Sequence, residues 1–391
     1  MCKKYILSLT LFLLALNAFG QDVALSPLSK ISLLTVGTGQ ELAAKFGHSA
    51  IRAQDPTLGL DEVYGYGTYD FDDPNFYLNF TRGKLSYTIS RIPFRYFKMA
   101  YVQEERWIKE QELDLDLKQR NQIVIFLENN LLPENRKYKY DFLFDNCATR
   151  IPLVFEKTLG NTFQFDYDYL SNRYTFRELI RQNLNPNTWS NFGIDLALGS
   201  VIDRRATPSE HMFLPIYVYR QMQHTTLNNA PIVKKESVVL DLPEQEDQPF
   251  FLWTPAFWLG LLLLLVAVIT YRDVKGHTRL KGLDLALFTV TGLAGLLIVF
   301  LWFFTDHEAT KENYNALWAF APNSIMAFYL SRQRLPQWLG LYILLLLLLL
   351  GVTVIFWILQ IQSFSILLVL VLLALSIRYV FLYRFISHQK K

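Results

Sequence analysis

One cysteine of this chain has the surroundings of a nucleophile. Cys147 lies in residues 142–150 (FLFDNCATR), directly after Asp145 and Asn146. Because Asp and Asn are favoured helix N-cap residues, the pattern predicts a helix from here to about residue 159. A sulfur on the first turn of a helix lies near the positive end of the helix dipole, which favours the reactive thiolate. The alternative is a buried cysteine that packs as a small apolar group.

His48 is the natural base for such a cysteine. It lies between Gly47 and Ser49, in a predicted tight turn that leads into a strand. A single histidine is more often structural, so it is the combination with Cys147 that favours catalysis. A cysteine–histidine pair also needs a group that orients the imidazole. Three residues on the next predicted strand are candidates, and the sequence does not choose among them: Glu62, Tyr64 and Tyr66.

Two arginines and an asparagine adjoin the proposed pair. Arg52 follows His48, while Asn146 and Arg150 flank Cys147. These side chains are candidates for binding a phosphate headgroup or an oxyanion, although surface salt bridges explain the two arginines equally well. The sequence has no HExxH motif and no cluster with the spacing of metal ligands. It therefore predicts neither a metal site nor a cofactor.

These residues lie on the elements of a predicted α+β domain. Strands are expected at 30–38, 49–53, 62–66, 84–92 and 138–144, and helices at 113–132, 146–159 and 175–184. Asp72 and Asp73 are interpreted as part of a turn rather than as a catalytic carboxylate pair. His48 thus precedes a strand and Cys147 begins a helix.

Composition limits the class of protein. The chain has 391 residues, a formal net charge of +3, 51% hydrophobic residues and 19% charged residues. It is too apolar for an ordinary soluble enzyme and too charged for a protein that lies wholly in the membrane. The small net charge excludes a nucleic-acid binder that depends on a basic field. Two cysteines exclude a disulfide scaffold and a Cys-rich zinc module.

Both ends of the chain are predicted to meet the membrane. Residues 1–20 have the charged start, apolar run and small-residue cleavage site of a signal peptide, which would leave together with Cys2. The alternative is a first membrane helix, for which this apolar run is short. Residues 21–240 would form the exported catalytic domain, and residues 241–249 a polar linker. Five membrane helices are expected in residues 250–391, at about 250–270, 285–305, 314–331 (the weakest), 338–359 and 364–383.

Loop charges predict the orientation of these helices. Lys and Arg concentrate in the loops 271–284 and 332–334 and after residue 378, whereas the loop 306–312 is mainly acidic. The positive-inside rule then places the N-terminal domain outside the cytoplasm and the C-terminus inside it.

A polar cluster lies at the predicted outer end of the second and third membrane helices. Polar groups at a membrane face usually mark function. The cluster is therefore a candidate substrate site on the side of Cys147, and its proposed members are His307, Asn313, Asn315 and Trp318. The alternative is a solvated loop with an aromatic anchor at the interface.

Several separated motifs resemble known families. A histidine followed by an Asn-Cys at a helix start resembles the permuted NlpC/P60 class of papain-like enzymes, which includes the lecithin:retinol acyltransferase group. The chain more closely resembles the Lnb family of lipoprotein N-acyltransferases. That resemblance covers nearly the whole mature chain and rests on residues 46–52 (FGHSAIR), 64–70 (YGYGTYD), 145–150 (DNCATR), 192–199 (FGIDLALG), 213–215 (FLP) and 307–318.

The resemblance implies a papain-like α+β periplasmic domain followed by an all-α, five-helix domain in the bacterial inner membrane. It also implies that Cys147 is the nucleophile and His48 the base of an acyltransferase. The partners would be a phospholipid acyl donor and a diacylated lipoprotein, whose diacylglyceryl-cysteine α-amine accepts the acyl chain. The chain lacks the second histidine of the retinol group, so the orienting residue stays open.

Other functions remain compatible with the sequence. A cell-wall peptidase or amidase of the NlpC/P60 type would use the same pair of residues, but it would not need five helices. A membrane-anchored scaffold with an inactive domain would tolerate the loss of Cys147. A third variant changes only the donor, with the acyl chain coming from an ester of the lipoprotein itself.

Overall fold

The computed structural model describes residues 24–69, 75–244 and 249–388. The predicted signal peptide with Cys2, the predicted turn at Asp72 and Asp73, and the middle of the predicted linker lie outside these residues.

An antiparallel sheet forms the centre of the N-terminal domain. Its seven strands are β1 (Lys30–Val36), β2 (His48–Asp55), β3 (Leu60–Thr68), β4 (Ser86–Pro93), β5 (Ile108–Leu113), β6 (Lys137–Lys139) and β10 (Val233–Leu240). They are arranged in the order β10-β5-β1-β2-β3-β4-β6. A smaller sheet contains β7 (Phe163–Phe165), β8 (Thr225–Leu227) and β9 (Ala230–Pro231). His48 pairs with Val36 and is the first residue of the central strand β2.

The described residues of this domain also form seven α-helices. They are α1 (Phe76–Thr81), α2 (Phe94–Gln103), α3 (Leu117–Leu131), α4 (Arg150–Leu159), α5 (Phe176–Arg181), α6 (Trp189–Ala197) and α7 (Pro215–Gln223). Apolar residues of α3 and α4, such as Val124 and Phe155, form one core with Ile51 and Tyr64 of the sheet. A second core includes Phe97 of α2. The sheet is therefore covered on both faces.

Two predicted elements of this domain differ in the structure. The helix expected at 113–132 begins only at Leu117, after a capping box formed by Asp116 and Gln119. Residues 108–113 form strand β5 because they pair with β1 on one side and β10 on the other. The strand expected at 138–144 is limited to Lys137–Lys139, and the residues after it turn toward Cys147.

Among the described residues of the membrane half, four helices are long and apolar enough to cross a bilayer. They are α8 (Pro255–Gly276), α9 (Lys281–Phe303), α11 (Leu339–Ile358) and α12 (Leu368–His388). The helix expected at 314–331 differs, since only α10 (Asn323–Leu330) is α-helical there. Its eight residues rise about 12 Å, less than half of the roughly 30 Å hydrocarbon core.

The irregular residues before α10 have a physical cause. Asn313 and Asn315 turn toward the N-terminal domain and donate hydrogen bonds to its carbonyl groups. Pro322 then precedes the helix, and a proline inside a helix would interrupt its hydrogen bonds. At the other end of α10, the carbonyl group of Arg332 accepts a hydrogen bond from Arg279 in the loop between α8 and α9. The segment from residue 306 to residue 332 thus extends along α9, and only its later residues, those of α10, are α-helical.

A buried ionic cluster joins three of the membrane helices. Arg378 of α12 contacts Asp284 of α9 (Nε–Oδ1 2.6 Å) and Asp273 of α8 (Nη1–Oδ2 2.8 Å). Arg279 also contacts Asp284, at 3.1 Å. Arg378 and Asp284 are fully buried. The charges compensate one another within the cluster.

We expect Arg378→Leu to destabilise the membrane half. The substitution leaves Asp273 without its arginine partner and weakens the compensation of Asp284, and breaking a buried pair in this way costs about 3–5 kcal/mol. Thermal unfolding of the purified protein in detergent should show a lower midpoint. Arg384→Leu is the matched control, because Arg384 lies on the same helix and is exposed. Equal midpoints for the two variants would contradict the role of the cluster.

Candidate active site

Cys147 and His48 line one cavity of about 550 Å³. This volume lies within the range of about 300–1,000 Å³ that is usual for ligand pockets. Most of the wall is aromatic or aliphatic, and it includes Tyr66, Tyr87, Tyr140, Phe142 and Phe213. Residues 306–309, which follow membrane helix α9, complete the wall. The cavity is therefore built by both halves of the protein.

Asn146 fixes the turn that carries the cysteine. Its Oδ1 accepts hydrogen bonds from the backbone N–H groups of Ala148 (2.8 Å) and Thr149 (2.9 Å). Its Nδ2 donates to the carbonyl oxygens of Phe142 (2.7 Å) and Phe213 (2.9 Å). Asn146 therefore positions the turn through its backbone contacts.

The helix after this turn begins later than the sequence predicts. Helix α4 starts at Arg150, so Cys147 lies in the turn before the helix rather than on its first turn. The reason is that Asn146 caps the turn itself, through Ala148 and Thr149.

The start of β2 brings the histidine to the cysteine. The backbone N–H of Ser49, the residue after His48, is near enough to the Cys147 sulfur to lower the pKa of the thiol. Two glycines of β3 lie beside the pair. A Cβ atom at Gly65 would lie 3.4 Å from His48 Nε2, and one at Gly67 would lie 3.6 Å from Cys147 Cβ. Gly67 has a left-handed backbone with a φ of +96°, which favours glycine.

Both groups are uncharged at neutral pH. Burial raises the pKa of the Cys147 thiol, although backbone N–H groups and the charge of Arg106 act in the opposite direction. Burial, and next the charge of Arg106, lower the pKa of His48 to about 4. The resting pair is therefore a thiol and a neutral imidazole, and the imidazole is free to accept the thiol proton during attack.

Two residues that the sequence analysis missed act on the imidazole, one by a ring contact and one by its charge. The His48 ring stacks on Tyr101 of α2, with ring centroids 6.5 Å apart. The guanidinium group of Arg106 lies 4.8 Å from the centre of the Tyr101 ring and donates from Nε to the Gly37 carbonyl oxygen at 2.8 Å. Arg106 is buried, and its Nη2 has no hydrogen-bond partner in the described part of the chain. Neither residue belongs to a motif, so the sequence offered no signal for them.

The three candidates for the orienting group have other surroundings. The Tyr64 hydroxyl donates to Glu128 Oε1 of α3 at 2.6 Å. Glu62 is on the same side of β3 as Tyr64, since side chains alternate along a strand. Tyr66 lines the cavity, and its ring lies 6.2 Å from that of Tyr138. The contact to the imidazole ring comes from Tyr101 instead.

The two arginine candidates form ion pairs with acidic residues. Arg52 contacts Asp61 at 2.7 Å and Glu110 at 3.2 Å. Arg150 is paired with Asp145 and lies over the ring of Tyr138, 4.1 Å from its centre. Neither arginine lines the cavity.

Only one of the four candidates at the membrane face lines the cavity. His307 does so, and its Nε2 lies 3.2 Å from the Phe80 carbonyl oxygen. Asn313 and Asn315 are buried and bind carbonyl groups at the end of α6. Trp318 donates to Asn315 Oδ1 at 2.8 Å. These last three residues join the two halves of the protein.

Comparison with known families agrees with this division into two halves. The Lnb N-terminal periplasmic domain matches residues 17–182, and the Lnb transmembrane domain matches residues 245–390. The chain belongs to the Lnb family. Lnb domains indicate a membrane enzyme that modifies lipoproteins, with a periplasmic N-terminal domain and an inner-membrane location. Neither a curated protein nor a solved structure matches this Lnb protein significantly.

We expect the acid limb of the pH–rate profile of the Lnb protein to lie near pH 4. A base must be unprotonated to accept a proton, and the lowered pKa of His48, the candidate base, keeps it so down to about 4. Arg106→Gln removes the positive charge that lowers this pKa, so its acid limb should move to higher pH. The shift should be partial, because burial is the larger cause.

The measurement is the initial rate of Cys147 acylation as a function of pH. Arg52→Gln is the control, because it also removes a positive charge from the domain but not one that lowers the pKa of His48. The prediction would be contradicted if the acid limb of the native protein lay near the ordinary histidine pKa of 6.5. It would also be contradicted if the acid limbs of the two variants lay at the same pH.

Proposed function

We propose that the protein is a lipoprotein N-acyltransferase in which Cys147 is the nucleophile and His48 the base. One observation carries the proposal. Cys147 and His48 share a mainly apolar cavity with residues 306–309, which directly follow membrane helix α9. A nucleophile in such a place is within reach of an ester bond at the surface of the bilayer.

The first half of the reaction transfers the acyl chain to the enzyme. His48 accepts the thiol proton while the sulfur attacks the ester carbonyl carbon of a phospholipid. The new bond joins sulfur to the acyl carbon, and the ester C–O bond breaks. The departing alkoxide takes the proton from His48 and leaves as a lysophospholipid. The product on the enzyme is a thioester.

The second half passes the chain to the lipoprotein. The neutral α-amine of a diacylglyceryl-cysteine attacks the thioester, which forms a C–N bond and breaks the C–S bond. His48 takes a proton from the amine and returns it to the sulfur. Aromatic side chains such as Tyr87 and Tyr140 line the cavity. They limit the access of water, so aminolysis is favoured over hydrolysis.

Backbone N–H groups near the sulfur supply the electrostatic support. The amides of Ser49, Ala148 and Cys147 itself lower the pKa of the thiol. We propose that one or more of them stabilise the oxyanion that forms in each step, in place of Arg52 and Arg150. The papain-like assignment of the domain remains a prediction.

The proposed location is the bacterial inner membrane, with the C-terminus in the cytoplasm. Ser363, before α12, contacts Arg181 of the N-terminal domain (2.9 Å). At the other end of α12, Gln337 Nε2 contacts the Ile386 carbonyl oxygen, beside the loop that holds Arg332 and Arg334. The end of α12 at His388 thus lies on the side opposite the N-terminal domain, which is the arginine-rich side, and this supports the proposed orientation.

The cavity favours this function over its rivals. A cell-wall peptidase is expected to have a hydrophilic groove, whereas this cavity is mainly apolar. A scaffold is expected to have a filled groove, whereas this one is open. The donor can still be either a phospholipid or an ester of the lipoprotein itself, and the phospholipid is our proposal.

We expect Cys147→Ala to abolish acyl transfer, because it removes the nucleophile. Mass spectrometry of a lipoprotein N-terminal peptide from cells should show the loss of one amide-linked acyl chain. Cys2→Ala, at the other cysteine of the chain, is the control at matched expression. An unchanged triacylated peptide in the Cys147→Ala strain would refute the proposed mechanism.

The same peptides identify the donor. Transfer from a phospholipid adds one acyl chain to the lipoprotein in the strain with an intact Cys147. Transfer from an ester of the lipoprotein itself leaves the total number of acyl chains unchanged. A lyso-lipoprotein in the strain with an intact Cys147 would therefore still support an acyltransferase. It would refute the proposal that a phospholipid is the acyl donor.

A further inference from the structure

Helix α1 presents large apolar side chains that the N-terminal domain does not cover. Tyr77 is 81% exposed, Leu78 55% and Phe80 54%, whereas Phe76 is buried. Three such neighbours on a helix of six residues form an apolar patch. An exposed patch of this kind usually marks an interaction surface.

The patch is fixed at the level where a membrane helix ends. The backbone N–H of Asp306 donates to the Arg82 carbonyl oxygen at 2.9 Å, and His307 Nε2 lies 3.2 Å from the Phe80 carbonyl oxygen. Asp306 is three residues beyond the end of α9 at Phe303. Phe303 and Phe304 are themselves exposed, as aromatic residues at a membrane interface are. Helix α1 therefore lies next to the end of α9, where the protein surface meets the bilayer.

The charges beside α1 suit the headgroup region. Arg82 and Lys84 follow the helix and are exposed, and Lys139 contacts Asp306 at 3.1 Å. Apolar side chains next to basic residues are typical of segments that lie in the interface of an anionic membrane.

The cavity lies beside this helix. Phe80, Gly83 and Leu85 line it together with Cys147. A lipid chain that reaches α1 is thus next to the wall of the cavity.

We propose that α1 inserts shallowly into the outer leaflet, with Tyr77, Leu78 and Phe80 among the lipid chains. The donor's acyl chain then enters the cavity along Phe80 and Leu85. The insertion stands on the exposed patch and its position, whereas the entry route rests on the proposed function.

The insertion is tested without any catalytic readout. Both native cysteines are replaced by alanine, and a spin label is attached at Leu78→Cys in the full chain. The protein is placed in nanodiscs of phosphatidylethanolamine and phosphatidylglycerol. Insertion predicts a gain of collisions with oxygen and a loss of collisions with a water-soluble nickel chelate.

Leu58→Cys is the matched control. Leu58 is 53% exposed and lies in the turn between β2 and β3, at the end of β2 away from His48. An eight-residue strand spans about 25 Å. A label there should behave as in water. If the labels at positions 78 and 58 are equally accessible to the nickel chelate, the insertion is refuted.

The entry route has its own variant. Leu78→Asp places a charge in the apolar patch, so it should slow thioester formation from phospholipid vesicles while leaving the reaction with a soluble short-chain ester unchanged. Equal slowing with both substrates would refute the entry route. If the native enzyme forms no thioester with either substrate, the proposed function fails, and the spin-label result still decides the insertion.

Discussion

The docking of the N-terminal domain onto the membrane half is the constraint on which the site depends. Arg177 is buried and holds Asp203 (2.7 Å) and Asp195 (3.2 Å) together. It also donates to the Gly199 carbonyl oxygen at 2.8 Å. Backbone carbonyl groups of this region accept hydrogen bonds from Asn313 and Asn315 of the membrane half. Because residues 306–309 belong to the same segment, this docking also closes the wall of the cavity.

Such a joint has a direct consequence for catalysis. A soluble domain on a flexible linker would hold its nucleophile at varying distances from the bilayer. Here the joint is fixed at several separated points, including the hydrogen bond from Trp189 to the Trp253 carbonyl oxygen (2.9 Å) and that from Arg181 to Ser363. The cavity can therefore be both apolar and adjacent to lipid. The same dry surroundings keep the thiol and the imidazole uncharged, so charge develops only when the substrate is attacked.

Local sequence patterns predicted much of the fold and the central pair of the site. The β2 and β3 strands, the helix that follows Cys147 and the four long membrane helices all come from short-range signals: alternation, capping residues and apolar length. Cys147 and His48 were predicted because few residue types can act as nucleophile and base. The family motifs pointed to the same two residues, and the chain belongs to that family.

The tertiary structure alone decided what surrounds the pair. Tyr101 contacts His48 because α2 packs on the sheet, and Arg106 lies over the Tyr101 ring. No local sequence pattern predicts these contacts. Asn313 and Asn315 were predicted to belong to a polar substrate site. In the structure they connect the two halves of the protein, because they donate hydrogen bonds to carbonyl groups at the end of α6. Strand β5 was not predicted, and it forms because two partner strands flank it. The sequence by itself determined the residue types of the proposed nucleophile and base and the positions of the four long membrane helices. The partners of these residues depended on long-range packing, because hydrogen bonds and burial are set by whichever segments the fold brings together.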